Sequence, residues 1–295
     1  MLYWLVSILF FIFSYVHANA YQYELCLCAI FQNEAPYLKE WIDFHKKMGV
    51  EHFYLANHLS TDNYLHVLQP YIDEQEVELF HVEENPDQSF NDLQEKTYTS
   101  IKNYCQFKTK WLLTIDSDEF VFPLIKENLI EFLKDYENAH IGSVYFFAQY
   151  YGTSFIEELP KDKKLIECLL YRAEEQFWLN KFGKSFCRPE RCSIVSLHYA
   201  VPLPTYTRVL PNKTAVATDQ LTTIEKVKEL HVDVSKIRFN HYWTRDEKYY
   251  REVKIPRYIN WGADIKTCRE RYEALNLIFD DSILQFSISQ RAGDF

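Results

Sequence analysis

The stretch KWLLTIDSDEFVFP, residues 110–123, decides how the chain is read. Trp111, Leu112, Leu113 and Ile115 are the makings of a buried strand, yet they run straight into Asp116, Asp118 and Glu119. Carboxylates at the end of an apolar strand repel one another, and burying them is costly unless a cation or hydrogen-bond donors compensate. Either they lie in a solvated turn, with Ser117 or Asp118 capping a helix that starts near Pro123, or something positive belongs there. In extended backbone residues i and i+2 point to the same side, so Asp116 and Asp118 can approach one divalent ion. Oxygen ligands suit Mn²⁺ or Mg²⁺, and such an ion in turn holds a diphosphate. The D-x-D pattern alone is weak, since sixteen Asp in 295 residues give roughly one by chance. Its position at the end of a strand gives it weight.

Outward from this stretch the same alternation recurs. Residues 24–31, 50–56, 77–82 and 110–115 read as strands. Between them 35–48, 62–68 (ending near Pro70) and 92–105 read as helices, the first with Leu38, Trp41, Ile42 and His45 on one face and Gly49 as its stop. Strands separated by helices of this length predict an α/β fold, a doubly wound and mostly parallel sheet flanked by helices. Ligands of such sheets bind beyond the carboxyl ends of the strands. Asn33-Glu34, Asn57 and Asp116 each fall just past a strand end, so three polar clusters share one edge. Farther on, a helix is expected over 126–136 and a strand over 143–149. Residues 150–245 are irregular, with strand-like runs at 167–172 and 193–200. Helices are expected at 245–254 and 267–278, the latter in a C-terminal helical annex, 261–295, appended to a catalytic domain over 21–260.

The chain is 47% hydrophobic and 25% charged, the composition of a globular protein. Six glycines, and no G-x-G-x-x-G or G-x-x-x-x-G-K-[ST], argue against a glycine-rich phosphate loop. A net charge of −10 argues against nucleic acid as a partner. Residues 2–16 are almost entirely apolar and are followed by Ala18-Asn19-Ala20, as in a signal peptide or a retained anchor that associates with a membrane. Either places the domain outside the cytosol: the Golgi lumen or its membrane in a eukaryotic setting, an exported or membrane-associated state in a bacterial one. The seven cysteines fit that compartment. Cys187 and Cys192 bracket a turn-like stretch and are expected to close a small disulfide loop, whereas Cys26 and Cys28, on one strand face, read as packed thiols. Asn212-Lys213-Thr214 is the single N-glycosylation sequon.

Several spaced motifs together resemble the family 92 glycosyltransferases, a family with a GT-A-like fold. The resemblance lies in NEAPYLKEWIDFHKKMGVEHFYL (33–55), in Asn57, Ser60 and Asp62, in Asp116, Asp118, Glu119, Phe120 and Pro123, and in Tyr151-Gly152-Thr153-Ser154 followed by Leu165-Ile166-Glu167 and Arg172. It continues through KSFCRPERCSIVSLH (184–198) and NHYWTRDEKYYREVK (240–254). Two positions depart from the pattern: Ala56 precedes Asn57 where an acidic residue is usual, and Asp246 stands where Ser is usual.

The resemblance implies a metal-dependent transfer of a sugar, galactose-type and with inversion, from a UDP-sugar to a glycan or other hydroxyl acceptor. It implies Asn33, Glu34, Asn57 and Asp62 around the base and ribose, and Lys184, Arg245 and Lys254 on the diphosphate. Asp116, Asp118 and His241 would hold the metal, with His198 a rival ligand and Asp118 counted in the catalytic group. Glu167 is the expected general base, with Asp219 and Glu247 as competitors; Tyr151, Trp178 and Trp243 would stack on sugar rings. Against this stand a glycoside hydrolase, which also uses paired carboxylates, and a non-catalytic or degenerate carbohydrate-binding protein. A phosphate-ester hydrolase would want a second, His-rich cluster that the sequence lacks.

Overall fold

The structure is a computed structural model that describes residues 21–83, 88–260 and 262–286. The expected signal or anchor segment lies outside the described residues, and among those described no helix is long and apolar enough to cross a membrane. Strand β1 (Tyr23–Phe31), helix α1 (Ala35–Lys47), β2 (His52–His58), α2 (Tyr64–Asp73), β3 (Val77–Val82), α3 (Phe90–Cys105) and β4 (Thr109–Thr114) follow the predicted alternation. β1 pairs in parallel with β2 and β4, and β2 with β3. Helix α1 buries Leu38, Trp41, Ile42 and His45 on one face. It stops where Gly49 adopts φ +93, the left-handed conformation that costs glycine least. Helix α2 runs through Pro70, beyond its expected end. The proline is solvent-exposed, so water can satisfy the carbonyl its missing N–H leaves free.

The main departure follows Asp118. Residues 119–123 form a strand, β5 (Glu119–Pro123), not the approach to a helix. The helix expected over 126–136 shrinks to α4 (Leu129–Leu133) and a single 3₁₀ turn. Fixing β5 is α1 beneath it: Trp41 Nε1 donates to Glu119 O at 2.8 Å, and Val121 N donates to His45 Nε2 at 3.2 Å. The expected strand at 143–149 is two strands in different sheets, β6 (Ile141–Phe146) and β7 (Ala148–Tyr150). Within 167–172, Glu167 belongs to a helical turn, α5 (Leu165–Cys168), and only β8 (Tyr171–Arg172) is extended.

Strand β9 (Lys184–Cys187), invisible in the sequence pattern, lies antiparallel between β4 and β6. The expected run at 193–200 is a two-stranded unit, β10 (Cys192–Val195) and β11 (Ala200–Pro202), with a turn between. With β12 (Thr207–Val209) the main sheet has the order β12-β6-β9-β4-β1-β2-β3. Beyond α6 (Ile224–Lys228), β13 (Ile237–His241) joins β5 and β7 in a second sheet. The C-terminal helices are α7 (Glu247–Tyr249), a π-helical turn (Tyr250–Lys254), α8 (Ile255–Asn260) and α9 (Ile265–Leu275); β14 (Ile278–Phe279) then pairs with β8. This is the expected α/β architecture with a mostly parallel sheet and a helical annex.

The cysteines correct one expectation. All seven are free thiols, and Cys187 and Cys192 sit buried on separate strands. Cys192 Sγ is turned to the carbonyl of Gly142 at 3.4 Å. Cys26 and Cys28 are packed thiols in an apolar cluster with Tyr54 and Cys105.

Candidate active site

The carboxyl end of β4 is where the regular sheet stops and the charged residues begin. Asp116 follows β4 by two residues, and Glu119 opens β5. In the second sheet Glu119 pairs directly with His241, and His241 with Tyr150. The two sheets therefore bring the end of the D-x-D turn against a late histidine by backbone pairing alone.

Asp116 is gripped from two sides. One oxygen accepts the Lys184 ammonium at 2.9 Å. The other accepts Gln94 Nε2 at 2.9 Å and the Tyr98 hydroxyl at 3.3 Å. Gln94 and Tyr98 are four apart on one face of α3; sequence reading overlooked both. Asp118 lies 3.3 Å from His241 Nε2 and 3.6 Å from Lys254 Nζ. Glu119 is almost wholly buried, 3.3 Å from Lys184 and 3.4 Å from His241 Nδ1, and its carboxylate also accepts Asp116 N at 3.0 Å. Glu34 pairs with Arg245, whose guanidinium lies 3.7 Å from the centre of the Tyr37 ring and 4.7 Å from that of Tyr249. Arg245 has φ +52, held there by this ion pair and the two rings.

The electrostatics sort these acids. Burial pushes Asp118 up, but His241 and Lys254 outweigh it and hold its carboxyl well below the usual range. Burial likewise opposes Asp116, and Lys184 overcomes it. For Glu119 burial wins over Lys184, and its pKa rises to about 7. Burial also lowers Lys254, against the pull of Asp118. Four carboxylates thus face three permanent cations and one histidine, and His241 Nδ1 is buried without a hydrogen-bond partner. Among the described residues no three His, Cys, Asp or Glu side chains form a ready-made metal cage. Lys184 and His241 occupy the positions between the acids. Mg²⁺ and Mn²⁺ are commonly held by one or two carboxylates plus substrate phosphate, and the O, O, N donor set of Asp116, Asp118 and His241 suits that mode.

The remaining expected residues divide. Asn33 and Asp62 face each other across two loops. Asn33 Oδ1 accepts Thr61 N at 2.8 Å, and Asp62 Oδ2 accepts Ala35 N at 2.8 Å. Asn57, buried at the end of β2, donates to Tyr64 OH at 3.0 Å and accepts Ser60 N at 3.0 Å. All three shape the strand-end rim through loop contacts. Glu167 does not join the cluster: it is exposed and caps its own helical turn through Lys164 N at 3.2 Å. Asp219 is paired with Lys226 at 3.1 Å, and Glu247 takes hydroxyls from Thr153 and Tyr272, both at 2.6 Å. Asp246, at the unusual position, caps α7 through Tyr249 N and also accepts Leu159 N, both at 2.8 Å. Tyr151 is a core residue bonded to Arg238 at 3.1 Å. Trp243 lies under Lys254, and Trp178 under Lys228 and Arg271.

The sequence pattern of glycosyltransferase family 92 matches residues 21–273. The chain belongs to glycosyltransferase family 92. A family 92 protein of Ricinus communis is 29% identical over 105 residues, 36% of this chain and 17% of that protein. One of Arabidopsis thaliana is 42% identical over 41 residues, 14% of this chain and 7% of the other. The matched segments span a quarter or less of these curated relatives' lengths. Among solved structures, S. aureus TarS 1-349 in complex with UDP aligns at TM-score 0.36 with 12% identity, over 56% of this chain and 47% of that one. The mannosyltransferase PcManGT from Pyrobaculum calidifontis, in complex with GDP-Man and Mn²⁺, aligns at TM-score 0.34 with 12% identity, over 68% and 59%. The sheet order described above, rather than these distant likenesses, defines the fold of this family 92 chain.

Proposed function

We propose that the chain is a metal-dependent glycosyltransferase that moves a sugar from a nucleotide donor of the UDP-sugar kind to a hydroxyl of a glycan. The observation that carries this is the cluster at the end of β4: Asp116 and Asp118 at a parallel strand edge, backed by His241 and ringed by Lys184, Lys254 and Arg245. Family membership supports the reaction class, and the family resemblance supports a galactose-type sugar and inversion.

In this reading Asp116, Asp118 and His241 hold Mn²⁺ or Mg²⁺, which when bound neutralises charge on the departing diphosphate. The chain's own residues do the rest. Buried Lys184 keeps Asp116 ionised and oriented and adds a positive field at the strand end. Lys254 lies on the other side of Asp118, with its ammonium 5.0 Å from the centre of the Trp243 ring. Arg245, locked by Glu34, presents a fixed positive edge to an anionic donor. Backbone pairing of Glu119 with His241 sets the imidazole with Nε2 toward Asp118 and Nδ1 3.4 Å from the Glu119 carboxylate. Asn33, Asn57 and Asp62 give the base and ribose pocket its shape by pinning its loops. We also place the domain in the lumen of the secretory pathway, on the apolar segment 2–16; protease protection of sealed microsomes tests that placement.

The functional test is a panel of nucleotide sugars with and without Mn²⁺, reading nucleotide release. Release of UDP that requires Mn²⁺ and disappears in Asp116→Asn and Asp118→Asn is expected. Unchanged turnover in both variants overturns the reading. Cleavage of glycosides with no nucleotide donor would make the protein a hydrolase instead.

A further inference from the structure

Beside the charged cluster, on the side away from Asn33 and Asn57, lies a cavity of about 330 Å³. It is of the size that holds a small ligand. Asp92 and Glu95 from the first turns of α3 form one wall, and His198 and Tyr199, from the turn between β10 and β11, another. Thr223 and Ile224, at the start of α6, close the third. Three links tie it to the cluster. Glu95 is the sequence neighbour of Gln94, which holds Asp116. Lys184 donates both to Asp116 and, at 3.0 Å, to the carbonyl of Leu197, which lines the cavity. Tyr145, which also lines the cavity, pairs across β6 and β9 with Ser185, the residue after Lys184.

The lining states what the cavity accepts. Among the described residues no lysine or arginine lines it. Two carboxylates do, and Glu95 has no hydrogen-bond or ion-pair partner among them. A diphosphate or a nucleotide would meet only negative charge there. Hydroxyls of Ser196 and Thr223, and His198 Nδ1, which is buried without a partner, offer hydrogen bonds; aromatic rings supply apolar faces. A neutral polyhydroxylated molecule with one polar edge and one apolar face matches that wall. We propose that this cavity is the subsite for the acceptor glycan's terminal sugar, with the Glu95 carboxylate accepting hydrogen bonds from its hydroxyls. The assignment to an acceptor rests on the transferase reading above; the binding chemistry does not.

The test therefore reads binding without turnover. The full chain is titrated with methyl glycosides of glucose, galactose, mannose, fucose and N-acetylglucosamine, followed by saturation-transfer NMR, with UDP and Mn²⁺ as a competitor. Ile224, 53% exposed at the rim, is replaced in Ile224→Trp, which fills the cavity without disturbing the core. Expected are binding of at least one glycoside, its loss in Ile224→Trp, a tenfold or greater weakening in Glu95→Gln, and no displacement by UDP. In a working assay Glu95→Gln raises the acceptor KM at least tenfold and leaves the donor KM and acceptor-free donor hydrolysis unchanged. Binding by none of the panel, binding that survives Ile224→Trp, or displacement by UDP would overturn the proposal. Glycoside binding with no turnover on any donor would instead remove the transferase reading and leave a sugar-binding cavity.

Discussion

Strand β13 serves two buried charge clusters, one on each face, and they are built on opposite plans. Arg238 points to Asp280, which it meets at 2.9 and 3.0 Å while Arg172 meets the same carboxylate at 2.5 Å. Burial pushes Asp280 up, yet these two guanidiniums and Ser282 hold it far below the usual range. One acid is shared by two guanidiniums, and the cluster ties β14 and the C-terminal segment to the catalytic half. Three residues on, His241 faces the other way, into a cluster with more carboxylates than permanent cations. There one acid is held well down, one is pushed up to about 7, and an imidazole nitrogen has no hydrogen-bond partner. A closed cluster is costly to break; an open one with surplus negative charge is poised for a cation and an anionic ligand.

The comparison predicts opposite outcomes for similar substitutions. In the open cluster, Asp118→Asn should cut Mn²⁺-dependent transfer about a thousandfold, with a smaller loss of stability than in the closed cluster, because Glu34 and Glu119 remain beside the cations. In the closed cluster, Asp280→Asn should cost about 3–5 kcal/mol of stability by leaving two buried guanidiniums unpaired; chemical denaturation reads it, and nucleotide binding of the still-folded fraction should persist. Arg245→Lys sits between the plans, since its ion pair with Glu34 and its two aromatic neighbours are both structural and site-forming. It should lose about 1–2 kcal/mol of stability and raise the donor KM about tenfold, because an ammonium cannot reproduce the planar, stacked fork.

The smallest effect concerns a buried group in neither cluster. His45 bridges Trp41 O at 2.8 Å and Val121 N at 3.2 Å, so its neutral tautomer is fixed, and burial lowers it to about 3. A histidine depressed in the fold contributes stability that is whole above its unfolded value near 6.5 and is lost as pH falls toward 3. Denaturation between pH 6.5 and 5 should show about 1.5 kcal/mol of loss. The loss should be absent from the corresponding slope of His45→Gln; an unchanged slope would mean the imidazole is not buried against β5.

How much of this was legible in the sequence depends on periodicity. The first half, through Ile115, alternates apolar strands with one-faced helices, and its order and edge follow from that pattern. Beyond Asp118 the strands are two to six residues long. β9 and β13 owe their places to pairing partners remote in sequence, which no local pattern encodes. That is why Lys184 and His241 could be named from the family resemblance but not placed, and why Glu167, expected as the general base, lies apart from the cluster and caps a turn. Gln94 and Tyr98 carried a usable signal, two hydrogen-bonding side chains four apart on the helix that leads into β4. Cys187 and Cys192 do meet, as the sequence spacing suggests, but as two buried, unbonded thiols, with Cys192 Sγ also turned to the carbonyl of Gly142.

The central claim is that the open cluster takes a divalent cation together with a nucleoside diphosphate. Titration of Mn²⁺ into the protein with UDP present, followed by the loss of free-ion electron paramagnetic resonance signal, tests it without any acceptor. One ion bound per chain in the presence of UDP, with affinity lowered at least a hundredfold in Asp118→Asn, is the predicted result. Equal Mn²⁺ uptake by both proteins, or none by either, would contradict it.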